Sequence, residues 1–224
     1  MDNLRIIGTS HISKKSIQEI KNAFLKHNPD IICVELDQRR YLGLISGEKR
    51  KPSLSAVKDV GLFGYLFLLL GSYLQKKLGD IANVNPGEDM HTAITLAKEN
   101  SKPLVLIDRD ILITLHRLSK KFTAKEKWRL FADILTAPFS KKKIRIDLTK
   151  VPPSALITQL LTELKSRYPN LYLVLVHERN LHMAAVLYQV ITRNPGKKIL
   201  AVVGAGHEEE LLKLLEKKYA ALQK

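Results

Sequence analysis

The 224-residue chain holds one cysteine, Cys33, so no intrachain disulfide can form and a disulfide-stapled scaffold is excluded. Aromatic residues are sparse, at 6%, and the lysine-rich stretches lack the interleaved rings of a base-stacking platform. No apolar run reaches the roughly 20 residues that a bilayer span needs. The longest, Gly61 to Leu74 (GLFGYLFLLLGSYL), stops before Gln75, Lys76 and Lys77. No N-terminal stretch combines a basic start, an apolar centre and a small-residue cleavage site, so a cytoplasmic setting is expected. A Gly-x-Ser-x-Gly elbow, a Walker motif and a dinucleotide glycine motif are all missing, which removes three common enzyme chemistries.

What is present is a basic, core-forming chain: 37 Lys and Arg against 22 Asp and Glu, a net charge of +15, and 45% hydrophobic residues. The lysines are scattered among acidic residues, as in Lys125-Glu126-Lys127, which reads as a solvated surface and predicts no specific nucleic-acid partner. Residues 61–74 read as a buried or interfacial helix, able at most to make peripheral membrane contact. Self-association is left open.

Four apolar, β-branched runs, Leu4 to Ile7, Ile31 to Val34, Leu104 to Ile107 and Ile199 to Val203, predict short buried strands. Helical patterns separate them: Ser13 to His27, Glu88 to Glu99, Ile111 to Lys120, Ala124 to Leu135, Pro153 to Tyr168, Arg179 to Arg193 and Glu208 to Leu222. The alternation predicts an α/β fold with a central, largely parallel sheet flanked by helices. A single domain over 1–224 is expected, with a helical layer or cap inserted at about 44–79 and 124–168. Tyr172 to Val176 fits either a fifth strand or the entry to the next helix.

Polar residues follow every strand: Gly8-Thr9-Ser10-His11, Glu35-Leu36-Asp37, Asp108-Arg109-Asp110 and Gly204-Ala205-Gly206-His207. Parallel sheets bind ligands beyond the carboxyl ends of their strands, where helix N-termini converge. Gly-x-x-His occurs twice, each time between a strand and a helix. The glycine there permits a turn with positive φ and close ligand approach. The histidine would sit near a first helical turn, where the dipole favours the neutral ring.

Alternation places Glu35 on the face of Ile31 and Cys33, where a carboxylate needs a partner. Two readings stay open: a buried salt bridge to Arg39, Arg109 or Arg179, or a metal ligand or general base converging with His11 and His207. Two histidines and one carboxylate suit Zn, Mn, Co or Fe and leave positions for water. Arg109 could meet an anionic ligand or pair with an aspartate to fix two loops. Arg179 opens a run in which Glu178, His182 and Met183 share a face, where an ion pair is the simpler role. His91, His116, His177 and His182 read as surface or packed residues, and Cys33 as core.

At these residues the sequence resembles the TraB family, also called the TraB/PrgY or pheromone-shutdown family. The blocks are GTSHIS at 8–13, PDIICVELDQRR at 29–40, PGEDM at 86–90, DRDILITLHR at 108–117, ERNLHMA at 178–184 and VVGAGH at 202–207. The family is grouped with the Tiki proteins, which are metal-dependent proteases, and with erythromycin esterases. The resemblance implies that His11, Glu35 and His207 form the site, supported by Arg109, Arg117 and Arg179. The candidate substrate-binding residues are Gly8, Thr9, Ser10, Asp108, Arg117, Gly204 and Gly206. Two departures stand out. Asp89 replaces the usual Glu of the PGxEM block, and Glu208-Glu209-Glu210 stands where an apolar residue and a glycine are more usual.

The expected function is a metal-dependent hydrolase of peptide or amide bonds, using a divalent Mn, Co or Zn ion and acting on a peptide or small molecule. Metal-free hydrolysis by a His/Glu pair of the erythromycin-esterase kind is the alternative within enzymes. A non-catalytic module that sequesters a short peptide is the alternative outside them.

Overall fold

The computed structural model describes residues 3–10, 14–47, 56–82, 87–136 and 153–220. Four strands, β1 (Leu4–Thr9), β2 (Ile31–Val34), β3 (Leu104–Leu106) and β4 (Ile199–Gly204), form one sheet in the order β1-β4-β2-β3. Every pairing is parallel. Such strands are short and apolar because both faces must be covered, and β2 and β4 are buried at every position.

Side-chain alternation divides each strand between two layers. Ile31, Cys33, Ala201 and Val203 join a core with Met183 and Leu187 of α9 (Glu178–Arg193) and Leu211 and Leu215 of α10 (Ala205–Ala220). Ile32, Val34, Leu200 and Val202 join the other core, with Ile20 and Phe24 of α1 (Lys14–His27) and Met90, Ala93 and Ala97 of α4 (Glu88–Glu99). This is the α/β architecture that the four apolar runs predict.

Two helices differ from the sequence reading. Helix α2 (Gln38–Ser46) was not expected, since it buries no residue fully and so has no strong apolar stripe. Asp37 starts it by accepting the backbone N–H groups of Arg39 and Arg40 at 2.9 and 3.0 Å. Helix α3 (Ala56–Ala82) is broken at Gly61, whose φ of 73° and ψ of 163° suit only glycine. On both sides of the break it packs on α5 (Ile111–Lys121): Val60 and Tyr65 bury against Leu115, and the Gly64 N–H donates to Ser119 Oγ at 2.7 Å. Leu62, Leu66 and Tyr73 stay exposed, so one face is buried and the other is not. No described helix is long and apolar enough to cross a membrane.

The second helical interval contributes α6 (Ala124–Thr136), α7 (Ser154–Arg167) and α8 (Pro169–Tyr172); residues 137–152 lie outside the described ones. Residues Tyr172 to Val176 resolve as helix rather than strand. A π-turn at Leu173–His177 joins α8 to α9, and Pro169 in the first turn of α8 sets the helical direction. Such turns re-aim the side chains that follow them, here Glu178 and Arg179.

Candidate functional site

β1 and β4 are neighbours, with Gly8 opposite Val203 and Thr9 opposite Gly204. The two Gly-x-x-His motifs therefore leave adjacent strands at the same level of the sheet. His11 itself lies outside the described residues. His207 occupies the third position of α10 and is buried. The expected positive φ at the motif glycines is not found: the positive-φ glycines are Gly47, Gly61, Gly87 and Gly196. Gly8 is needed for close approach instead, because a Cβ there would stand 2.9 Å from Ala205 Cα. The Glu208 carboxylate accepts the Gly8 N–H, and its burial holds it above the ordinary carboxylate range despite that bond.

Glu35 follows β2 and is 4% exposed. It points to the α9 and α10 side, as alternation requires. One oxygen accepts the Gly204 N–H at 2.6 Å. The other, Oε1, contacts Arg179 Nη2 and stands 3.4 Å from His207 Nε2. The salt bridge to Arg179 was one of the two readings open for Glu35, and it is present.

Arg179 is the hub. Its Nε and Nη2 donate to the two oxygens of Asp108 at 3.0 and 2.7 Å, a forked pairing. Its Nη1 donates to the Leu175 carbonyl, within the π-turn, and to His207 Nε2, each at 3.2 Å. Burial alone would lower the guanidinium's pKa, but Glu35 and Asp108 outweigh it and hold the group above its ordinary value. Asp108 also meets Arg40, whose Nε donates to Asp37 at 2.7 Å. Glu35, Asp108 and Asp37 thus face two arginines, which leaves this cluster one negative charge in excess among the described residues.

His207 is oriented from its other side. Nδ1 donates to Asn180 Oδ1 at 2.6 Å, and Asn180 Nδ2 donates to Glu210 at 2.7 Å. Since arginine can only donate, the contact with Arg179 makes Nε2 an acceptor. That contact fits the tautomer with the proton on Nδ1 and the lone pair on Nε2, the nitrogen that also stands 3.4 Å from Glu35 Oε1.

Arg109 and Arg117 sit apart from this hub. Both bind Glu178, Arg109 at 2.9 Å and Arg117 through Nε at 2.6 Å. Arg109 also donates to Thr114 and to the Val174 carbonyl of the π-turn. Their role here is to fix the start of α9, and so the residue after Glu178. The hydrogen bonds from Arg117 and then Arg109 keep Glu178 below the ordinary carboxylate range, against the burial that raises it.

Thr9 donates to buried Asp89 and to the Val203 carbonyl. This ties the end of β1 to α4, so Asp89 joins the crevice from the PGEDM block. The Ser10 N–H donates to Ser16 Oγ at 3.3 Å. Gly206 lines a groove of about 1060 Å³ between α7 and α10.

Sequence reasoning missed Asn180, Glu210 and Arg40 as members of the network, placed Asp37 at this edge without a partner, and treated His177 as a lone histidine. His177 Nδ1 in fact donates to Glu210 at 2.6 Å. Only the position of Asn180 beside Arg179, and of Asp37 and Arg40 close after Glu35, could have signalled this.

Among the described residues, no group of three His, Cys, Asp or Glu side chains stands ready to hold a metal ion. Two candidate ligands do meet. Two bonds of about 2.0–2.1 Å at a tetrahedral ion separate their donor atoms by roughly 3.3–3.4 Å, and Glu35 Oε1 and His207 Nε2 are 3.4 Å apart. The same separation is that of a direct His–carboxylate contact, and the Arg179 guanidinium now meets both atoms.

Fold and crevice define a parallel α/β protein with a buried His–Glu–Arg centre at the carboxyl ends of its strands. The TraB/PrgY/gumN family model matches residues 2–222, and the chain belongs to that family. It is 37% identical, over 96% of its length, to an uncharacterized protein of Methanocaldococcus jannaschii, of which the match covers 54%. It is 26% identical, over 90% of its length, to the human and mouse TraB domain-containing proteins, covering 60% of each. The chain thus spans little more than half the length of these relatives.

Proposed function

We propose that the chain is a hydrolase centred on Glu35 and His207, metal-dependent and directed at peptide or amide bonds. One observation carries the reading: the carboxylate oxygen and the imidazole lone pair are 3.4 Å apart, buried, and each fixed from behind, by the Gly204 N–H and by Asn180. Glu35 and His207 would hold the ion, with His11 as the third ligand that the resemblance implies. A divalent ion bound there supplies an activated water at neutral pH and polarises the scissile carbonyl.

The rest falls to the chain's own groups. Gly204 and Asn180 keep the two ligands oriented, as groups behind a metal site do. Arg179 would remain anchored by Asp108 and Leu175, and the two N–H groups that now meet Glu35 and His207 would turn to a substrate carboxylate or a developing oxyanion once those two ligands hold the ion. The low exposure of Glu35 and His207 excludes bulk water and strengthens each of these interactions. The peptide substrate class rests on the resemblance alone.

The contact of Arg179 with both Glu35 and His207 favours a second reading, metal-free hydrolysis. In it Nη1 of Arg179 would leave His207 Nε2 for the developing oxyanion, which frees Nε2 to act as the base with Asn180 orienting the ring. The discriminating experiment incubates chelator-treated protein with a peptide library, with and without Mn, Co or Zn, and reads products by mass spectrometry. Metal-stimulated cleavage supports the first reading and metal-independent cleavage the second. Intact peptide with measurable affinity would replace both by sequestration.

A further inference from the structure

We propose that Glu210 is a positioning residue that sets the tautomer of His207 through the amide of Asn180. Glu210 lies one turn beyond His207 on α10, in the Glu208-Glu209-Glu210 run where the resemblance leads one to expect a glycine. Of these three glutamates it is the one that faces the histidine's support. Glu208 caps Gly8, and Glu209 pairs with Lys213 on the exposed side.

The argument is one of donor and acceptor inventory. A carboxylate accepts only, so Asn180, 2.7 Å from Glu210 Oε2, must turn its NH₂ toward Glu210. Its carbonyl oxygen then faces His207 Nδ1 at 2.6 Å, and that nitrogen must carry the proton. The lone pair is left on Nε2, 3.4 Å from Glu35. Reversing the amide would set its oxygen against a carboxylate, which loses that buried hydrogen bond, and would turn its NH₂ to Nδ1, which only the other tautomer can accept.

Two further donors keep Glu210 in place: His177 Nδ1 at 2.6 Å to one oxygen and Tyr172 Oη at 3.1 Å to the other. These come from the π-turn and the helix before it, so the bulge that aims Arg179 also anchors the group that aims His207. Burial raises the Glu210 pKa, but the bonds from His177, Asn180 and Tyr172 outweigh it and hold the group below its ordinary range, hence as an acceptor at neutral pH.

This assignment rests on His207 being the working histidine of the proposed hydrolase, yet it can be tested without turnover. The full chain, ¹⁵N-labelled at histidine, reports each ring's tautomer through its nitrogen shifts at about pH 7.5 in the presence of chelator. Wild-type protein should show His207 with Nδ1 protonated and Nε2 bare. Glu210→Ala should reduce that tautomer's preference about fivefold or more, the factor expected for losing one hydrogen bond. Glu210→Gln, which can still accept from Asn180, should restore it.

His207 protonated at Nε2 in wild type would overturn the proposal whether or not any variant folds. An unchanged tautomer in folded Glu210→Ala would also overturn it. If Glu210→Ala fails to fold, Asn180→Ala reads the same link, and an unchanged ring there would be equally contrary. The expected tautomers with no hydrolysis would sink the hydrolase reading and leave this one standing.

Discussion

Arg179 and Asp108 meet through two hydrogen bonds, at 3.0 and 2.7 Å, so the guanidinium that contacts Glu35 keeps a second, forked carboxylate partner. The two carboxylates follow different strands, β2 and β3, and one cation from α9 joins them. Losing either should therefore have unequal effects.

Glu35→Gln keeps an oxygen for the Gly204 N–H and leaves Arg179 paired with Asp108. We expect a loss of about 1–2 kcal/mol, the scale of one charged hydrogen bond. Asp108→Asn removes the shared partner of Arg179 and Arg40 and should cost about 3–5 kcal/mol, the scale of a broken buried pair. Denaturant unfolding of both variants checks the order; equal losses would show that Glu35 matters to the Arg179 charge as much as Asp108 does.

Glu178 is held below its ordinary pKa by Arg117 and Arg109. A carboxylate depressed in the folded state contributes stability that is fully present above its unfolded value, near 4.5, and lost as pH falls through the lower folded value. Wild type should therefore melt above Glu178→Gln at neutral pH, and the gap should close in acid. A gap that widened below about pH 4 would reverse the sign.

Cys33 lies in the sheet interior, and burial pushes its thiol up to about 12. A thiol reagent at about pH 8 should label it only after unfolding. Rapid labelling of native protein would show an open route to the core.

Gly8→Ala places a methyl group against the backbone of Ala205. Overpacking of this kind should cost about 1–3 kcal/mol and should disturb the β1–α10 junction. An unaffected melting temperature would mean that the junction yields freely.

The strands were legible because each is a short apolar run, and Ile31–Val34 and Glu88–Glu99 match the sequence reading to the residue. Helix α2 was not, because its stability comes from the Asp37 cap and arginine pairs rather than from a buried stripe. The gathering of Glu35 and His207 followed from their place after strands. The choice of Arg179 over Arg109 as the central cation did not, since it depends on the π-turn at 173–177, for which an apolar run such as LVLV carries no periodic signature. Nor did the amide link through Asn180, which joins two helices through residues 27 positions apart.

The central claim, that Glu35 and His207 form one cation-binding pair, is tested most directly by titrating chelator-treated protein with Mn²⁺, Co²⁺ and Zn²⁺ and measuring bound metal. The account predicts stoichiometric binding of at least one of these ions by wild type. It predicts that binding is lost together in Glu35→Gln and His207→Ala, because ligands of one ion act as a unit, while both variants stay folded. Wild-type protein that binds none of the three ions, or variants that bind them as well as wild type, would contradict it.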